Sequence, residues 1–149
     1  MIIDTLKILF NRDLKQLISE IEQYKIEADI WKVAGKINNS AGNLCLHVVG
    51  NLNTYIGKEL GKTNYVRIRS LEFSFKDFPR KDIIQLVENN IEMIQQALDN
   101  LNENNLKSEY PILVLDHKTS IEYLLVHLTT HLAYHLGQIN YHRRLIENN

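Results

Sequence analysis

The sequence predicts an all-helical fold, and three observations lead to it. Apolar residues recur at steps of three and four along almost the whole chain. The only two prolines, Pro79 and Pro111, stand outside the periodic segments, and those segments number four, each roughly 20 to 27 residues long. Helices of that length make a bundle about 30 to 40 Å tall.

The first helix is expected over 3–25, where Leu6, Leu9, Phe10, Leu14, Leu17, Ile18, Ile21 and Tyr24 share a stripe. The segment KIEADIWKVAGKINNS, which holds the only tryptophan, Trp31, loses that rhythm and reads as a connection. Ser40, whose hydroxyl can accept from a free amide of the first turn, is expected to cap a second helix over 40–60. This helix carries Leu44, His47, Val48, Asn51, Leu52, Tyr55 and Ile56, and Gly61 is placed to end it. An irregular stretch, GKTNYVRIRSLEFSFKDF, follows. Pro79 then opens a third helix over 79–102 through Ile83, Ile84, Val87, Ile91, Ile94, Leu98 and Leu101. A polar, asparagine-rich connection leads to YPILVLDHK, whose ILVL suits a short extended piece. Thr119 with Glu122 has the spacing of a capping box, so a fourth helix is expected over 120–146.

Composition narrows what such a fold does. The 149 residues make one domain, 1–149, long enough to bury roughly 70% of the unfolded surface around a single core. With 44% apolar and 23% charged residues and a formal net charge of -1, the chain lacks the long-range field that draws nucleic acid or an anionic membrane. Cys45 is the only cysteine, which rules out an internal disulfide and a cysteine-rich metal cage. The start, MIIDTLKILFNRDLKQL, is interrupted by charge too soon for a signal peptide or a membrane span, so a cytoplasmic location is expected.

Four of the six histidines crowd into HLTTHLAYHLGQINYHRRL, 127–145. On an α-helix, positions four apart advance by about 6 Å and drift by about 40°, so His131 and His135 can converge on one point. His127 and His135, two turns apart, do not easily share it. A pair of neutral imidazoles is part of a metal site, and a third ligand must come from another helix. His47 is the natural candidate, because it lies in the middle of its helix as the pair lies in the middle of theirs. Cys45 is a poor rival, since two residues along a helix point to nearly opposite sides. In HLGQI, Gly137 removes a side chain where another helix can approach, and Gln138 can hydrogen-bond near the site. The alternative for all three histidines is a set of core imidazoles satisfied by hydrogen bonds.

The combination of LCLHVVGNL on the second helix with HLAYHLGQI on the fourth resembles the DinB superfamily of bacterial four-helix metalloproteins, over essentially the whole chain. INNSAGNLCLHVVGNL followed by RIRSLEF is similar to one uncharacterised branch of it. The resemblance implies metal ligation by His47, His131 and His135 and an up-down-down-up bundle with a long crossover between helices 2 and 3. It also implies a homodimer. The eighteen residues from Gly61 to Phe78 suffice for that crossover, reaching about 60 Å when extended. Characterised enzymes of the superfamily resemble metal-dependent thiol transferases and isomerases that use a low-molecular-weight thiol as nucleophile or cofactor. That implies a metal-dependent thiol S-transferase, or a related transferase or hydrolase, acting on a small-molecule substrate. The metal is zinc, nickel, iron or manganese, all of which suit imidazole. A non-catalytic, metal-stabilised binding or stress-response module is the other reading. The near-zero charge gives no support for a nucleic-acid partner.

The remaining residues divide by position. His127 is expected to fill a core position or support a ligand, and His142, near the helix end, to be solvated or stabilised by the helix dipole, as are Arg143 and Arg144. Arg67, Arg69 and Glu72 form a charged cluster on a loop, with two readings open: a group that binds an anion, or surface ion pairs worth about 0 to 1 kcal/mol. Tyr55 and Tyr134 are expected in the core rather than lining the site, and Cys45 as a small buried apolar residue.

Overall fold

A computed structural model describes residues 1–147. It is all-helical, with α1 Ile2–Gln23, α2 Ala41–Leu52, α3 Arg69–Ser74, α4 Arg80–Asp99, α5 Glu103–Leu106 and α6 Ile121–Ile146. A 3-10 turn spans Glu27–Trp31, and a π-helical segment, Asn53–Lys58, continues α2. None of the described helices is long and apolar enough to cross a membrane.

The long helices form where the periodicity places them. In α1, Leu6, Phe10, Leu14, Leu17 and Ile21 are all buried. Ser40 caps α2, its hydroxyl accepting from the Asn43 amide at 3.1 Å. Gly61 closes the far end, its amide donating to the Ile56 carbonyl at 2.8 Å, and a Cβ there would sit 2.8 Å from the Gly57 carbonyl. The cap of α6 is Ser120, not Thr119. The Thr119 carbonyl accepts from Tyr110 at 2.8 Å, so the chain is still extended there, and the Ser120 hydroxyl accepts from the Tyr123 amide at 3.0 Å.

Polar contacts give the helix directions. Lys7 of α1 pairs with Asp99 of α4 at 2.5 Å, and at the other end Arg80 donates to the carbonyls of Glu22 and Tyr24, so α1 and α4 are antiparallel. Arg143 of α6 pairs with Glu20 of α1 at 2.9 Å, and Asn140 donates to the same carboxylate, so α1 and α6 are parallel. α2 packs between α4 and α6. From Lys58 the chain has to return along α2 before α4 begins, and this return is the stretch expected to be irregular. It winds α3 directly against α2, too short a helix to show a period in sequence.

Two further expectations are corrected. The asparagine-rich connection contains α5, capped reciprocally by Asn102 and Asn105. ILVL is not a strand: among the described residues, extended pairing is limited to an isolated bridge between Glu109 and Ser120, on either side of it.

His142 is not solvated. It is buried at 3% exposure between α1, α6 and the 3-10 turn, Nε2 donating to the Lys32 carbonyl at 2.7 Å and Nδ1 accepting from the Tyr24 hydroxyl at 2.6 Å. Burial, against the help of the Lys32 carbonyl, holds its pKa below the ordinary histidine value. Between the folded value and about 6.5 the unfolded chain binds more protons than the folded one. This contribution to stability is therefore complete above about pH 6.5 and is lost as the pH falls through that interval. Urea midpoints measured with chelator present should drop from pH 7.5 to pH 5 by more in the native protein than in His142→Gln. Equal drops would mean that the folded protein holds His142 protonated.

Candidate metal centre

α2 and α6 bring the three expected histidines together. His47 is buried on α2, and His131 and His135, one turn apart on α6, are half-buried. One ring nitrogen from each lies within 4.8 Å of the others. The His47 ring centre is 5.2 Å from that of His131 and 5.1 Å from that of His135, both edge-on. The Nε2 atoms of His131 and His135 are 3.1 Å apart. Bonds of about 2.0 to 2.1 Å to a tetrahedral metal place neighbouring nitrogens about 3.3 Å apart. The α6 pair already meets that spacing, and the His47 nitrogen lies within 4.8 Å of both.

The outer nitrogens are held. His47 Nδ1 lies 3.0 Å from Glu72 Oε1, and because an ionised carboxylate only accepts, Nδ1 carries the hydrogen, which leaves Nε2 as the nitrogen for a metal. Arg67 closes on the same carboxylate through Nε at 2.8 Å and a terminal nitrogen at 2.9 Å. Burial would raise the Glu72 carboxyl, but the hydrogen bonds from His47 and Arg67 and the Arg67 charge outweigh it and leave the pKa below its usual value. On α6, His135 Nδ1 is 2.8 Å from Gln138 Oε1.

Burial, then the neighbouring His135, His47 and His127, lowers the His131 pKa to about 4. Burial also lowers His135, against the Gln138 hydrogen bond. Both imidazoles are thus neutral at pH 7, the form that binds metal.

Residue Gly50 makes the Glu72 contact possible. A Cβ on Gly50 would lie 1.9 Å from Glu72 Oε2, so only glycine lets the carboxylate reach α2 beside His47. Within the charged cluster of 67–72, Arg67 lies on the loop just before α3 and Glu72 on α3, and the two are not a surface set of ion pairs. Their side chains are 13% and 7% exposed. Sequence reasoning missed Glu72 as the partner of His47, although a glycine three residues after the histidine and an acid five after Arg67 were there to be read. It also missed Phe73, whose ring centre lies 5.1 Å from that of His47.

Other expectations fare differently. His127 is half-buried with its ring centre 6.4 Å from that of His131, outside the three-nitrogen cluster. Cys45 is buried as expected. Tyr134 is not in the core: it is exposed, with its ring beside His135. Tyr55 is half-buried with the Arg67 guanidinium over its ring. Gly137 is not a point of close helix approach: among the described residues a Cβ there would meet nothing within 4 Å. Arg143 is occupied by Glu20 rather than only by the helix dipole.

Residues 3–149 match the family model described as a protein of unknown function (DUF1572). No curated protein matches the sequence.

Proposed function

The chain belongs to the DUF1572 family, and on that footing we propose that it is a DinB-like four-helix metalloprotein that binds one divalent metal through His47, His131 and His135 and acts as a thiol-dependent S-transferase or a related transferase or hydrolase. The observation that carries this reading is the convergence of three imidazoles, two of them half-buried, without a fourth side chain of ligand type in the cluster among the described residues. Helix directions support the up-down-down-up order, with 59–79 as the crossover. A divalent cation at those nitrogens supplies a Lewis acid with a free position, which lowers the pKa of a thiol or water placed there.

The residues of the chain have distinct parts in this. Glu72 fixes the His47 tautomer and adds electron density to the ring, and Arg67 keeps Glu72 ionised. Gln138 orients His135, and the low His131 pKa keeps that ligand available down to mildly acidic pH. Zinc, nickel, iron or manganese suits the donor set. A small thiol as co-substrate, a homodimer and a cytoplasmic location complete the reading.

Titrating cobalt-substituted protein with a small thiol tests it. A thiol is mostly protonated at pH 7 and deprotonated on a divalent metal, so a sulfur-to-metal charge-transfer band is expected. A cobalt spectrum that neither thiols nor azide change would mean a closed shell and a non-catalytic, metal-stabilised module.

A further inference from the structure

Charge around the three histidines is unevenly paired. Arg67 is closed on Glu72, and Lys76 donates to the Asn43 side chain at 2.9 Å. Arg69 has no such partner: among the described residues its side chain makes neither an ion pair nor a hydrogen bond with another residue. Its guanidinium is nonetheless placed. Cζ lies 5.3 Å from the centre of the Phe73 ring, and that ring lies 5.1 Å from His47. Burial falls along this stack, from buried His47 through half-buried Phe73 to exposed Arg69. The guanidinium thus stands at the solvent end of a stack whose inner end is a candidate ligand, no farther from that imidazole than the two spacings combined. An aromatic face under a guanidinium orients the plane and leaves its N–H edge free to take a carboxylate with two hydrogen bonds.

The inner end is also electropositive when loaded. Three neutral imidazoles leave a divalent charge uncompensated, and the adjacent carboxylate, Glu72, is already shared by His47 and Arg67. A molecule with one acidic group toward the three nitrogens and a second toward Arg69 meets complementary charge at both ends. We propose that Arg69 is a specificity-determining residue that anchors a carboxylate of the molecule bound at the three-histidine centre, so that the preferred ligands are two-ended acids. This rests on the open metal site argued under Proposed function, and it concerns which molecules that site takes.

Hexanoate and adipate, with the same six-carbon chain and one or two carboxylates, test it in cobalt-loaded protein at fixed ionic strength. Adipate is expected to bind about three- to fivefold tighter than hexanoate, beyond the statistical advantage of two ends, as an ion pair at an exposed guanidinium allows. Arg69→Gln should weaken adipate by about that factor and leave hexanoate, the cobalt spectrum and the melting temperature unchanged, whereas Arg69→Lys should keep part of the preference. Arg144→Gln, which removes an exposed cation stacked on Tyr141, should change neither affinity. Equal affinities in the native protein, a preference that survives Arg69→Gln, or its loss in Arg144→Gln would each overturn the role of Arg69 while the open site stands. A cobalt centre indifferent to every small anion would instead remove the open site, and this proposal with it.

Discussion

His131→Ala protein is expected to emerge from dialysis against a weak chelator without metal, where the native protein retains one divalent ion per chain. Removing one of three imidazoles leaves two nitrogens on α6 or one on each helix, and neither pair fills a tetrahedral site. His47→Ala should behave the same way, whereas His142→Ala, whose imidazole is engaged by Tyr24 and Lys32, should keep its metal while losing stability. Elemental analysis of protein prepared without a histidine tag checks all three. The same samples report on folding: a metal that joins α2 to α6 stabilises the folded state by mass action, so chelation should lower the melting temperature of the native protein and leave that of His131→Ala unchanged. Full metal content in either ligand variant would mean that the ion sits elsewhere.

Losing the Glu72 carboxylate should have the second-largest effect, and it should appear in two separable measurements. Glu72→Ala leaves Arg67 with its guanidinium largely buried and without its partner, a change worth about 3 to 5 kcal/mol when a buried pair is broken. Chemical denaturation of the metal-free protein reads that loss. The same variant frees the His47 ring to rotate and to change tautomer, and loss of such a supporting partner weakens metal affinity about 10- to 100-fold. Competition with a chelator reads it. Gly50→Ala should reproduce the loss of metal affinity without touching a charged residue, because its Cβ would stand 1.9 Å from Glu72 Oε2 and push the carboxylate off α2. If Gly50→Ala bound metal as tightly as the native protein, the contact between Glu72 and His47 would not matter to the ligand.

Periodicity sufficed for the long helices and for the pairing of His131 with His135. A stripe such as Leu6, Phe10, Leu14, Leu17 and Ile21 has one way to be buried, and a pair of imidazoles four apart on a helix has one side on which to meet. These are local properties: they depend on the geometry of one helix, and His47 entered by matching depth along a second. The same logic misled where a residue's surroundings come from another part of the chain. His142 sits near a helix end, which in sequence reads as solvent. The Tyr24 hydroxyl and the Lys32 carbonyl that enclose it arrive from more than a hundred residues away. Gly137 looked like a place of close approach and faces open space.

By itself, then, the sequence determined that the chain is helical, where its long helices run, and that His131 and His135 share a face, because backbone geometry and hydrophobic burial act over a few turns. Only the tertiary structure decided what surrounds that face. The return of residues 59–79 along α2 lays α3 against His47, and this packing separates three charges that read alike in RIRSLEF. Glu72 is driven in against Gly50, Arg67 follows to neutralise it, and Arg69, one turn away on the outer side of Phe73, keeps its charge in solvent. The physical reason is that a buried carboxylate needs both a cation and a gap to enter. The gap belongs to a different helix, whose distance from RIRSLEF along the chain carries no information about its distance in space.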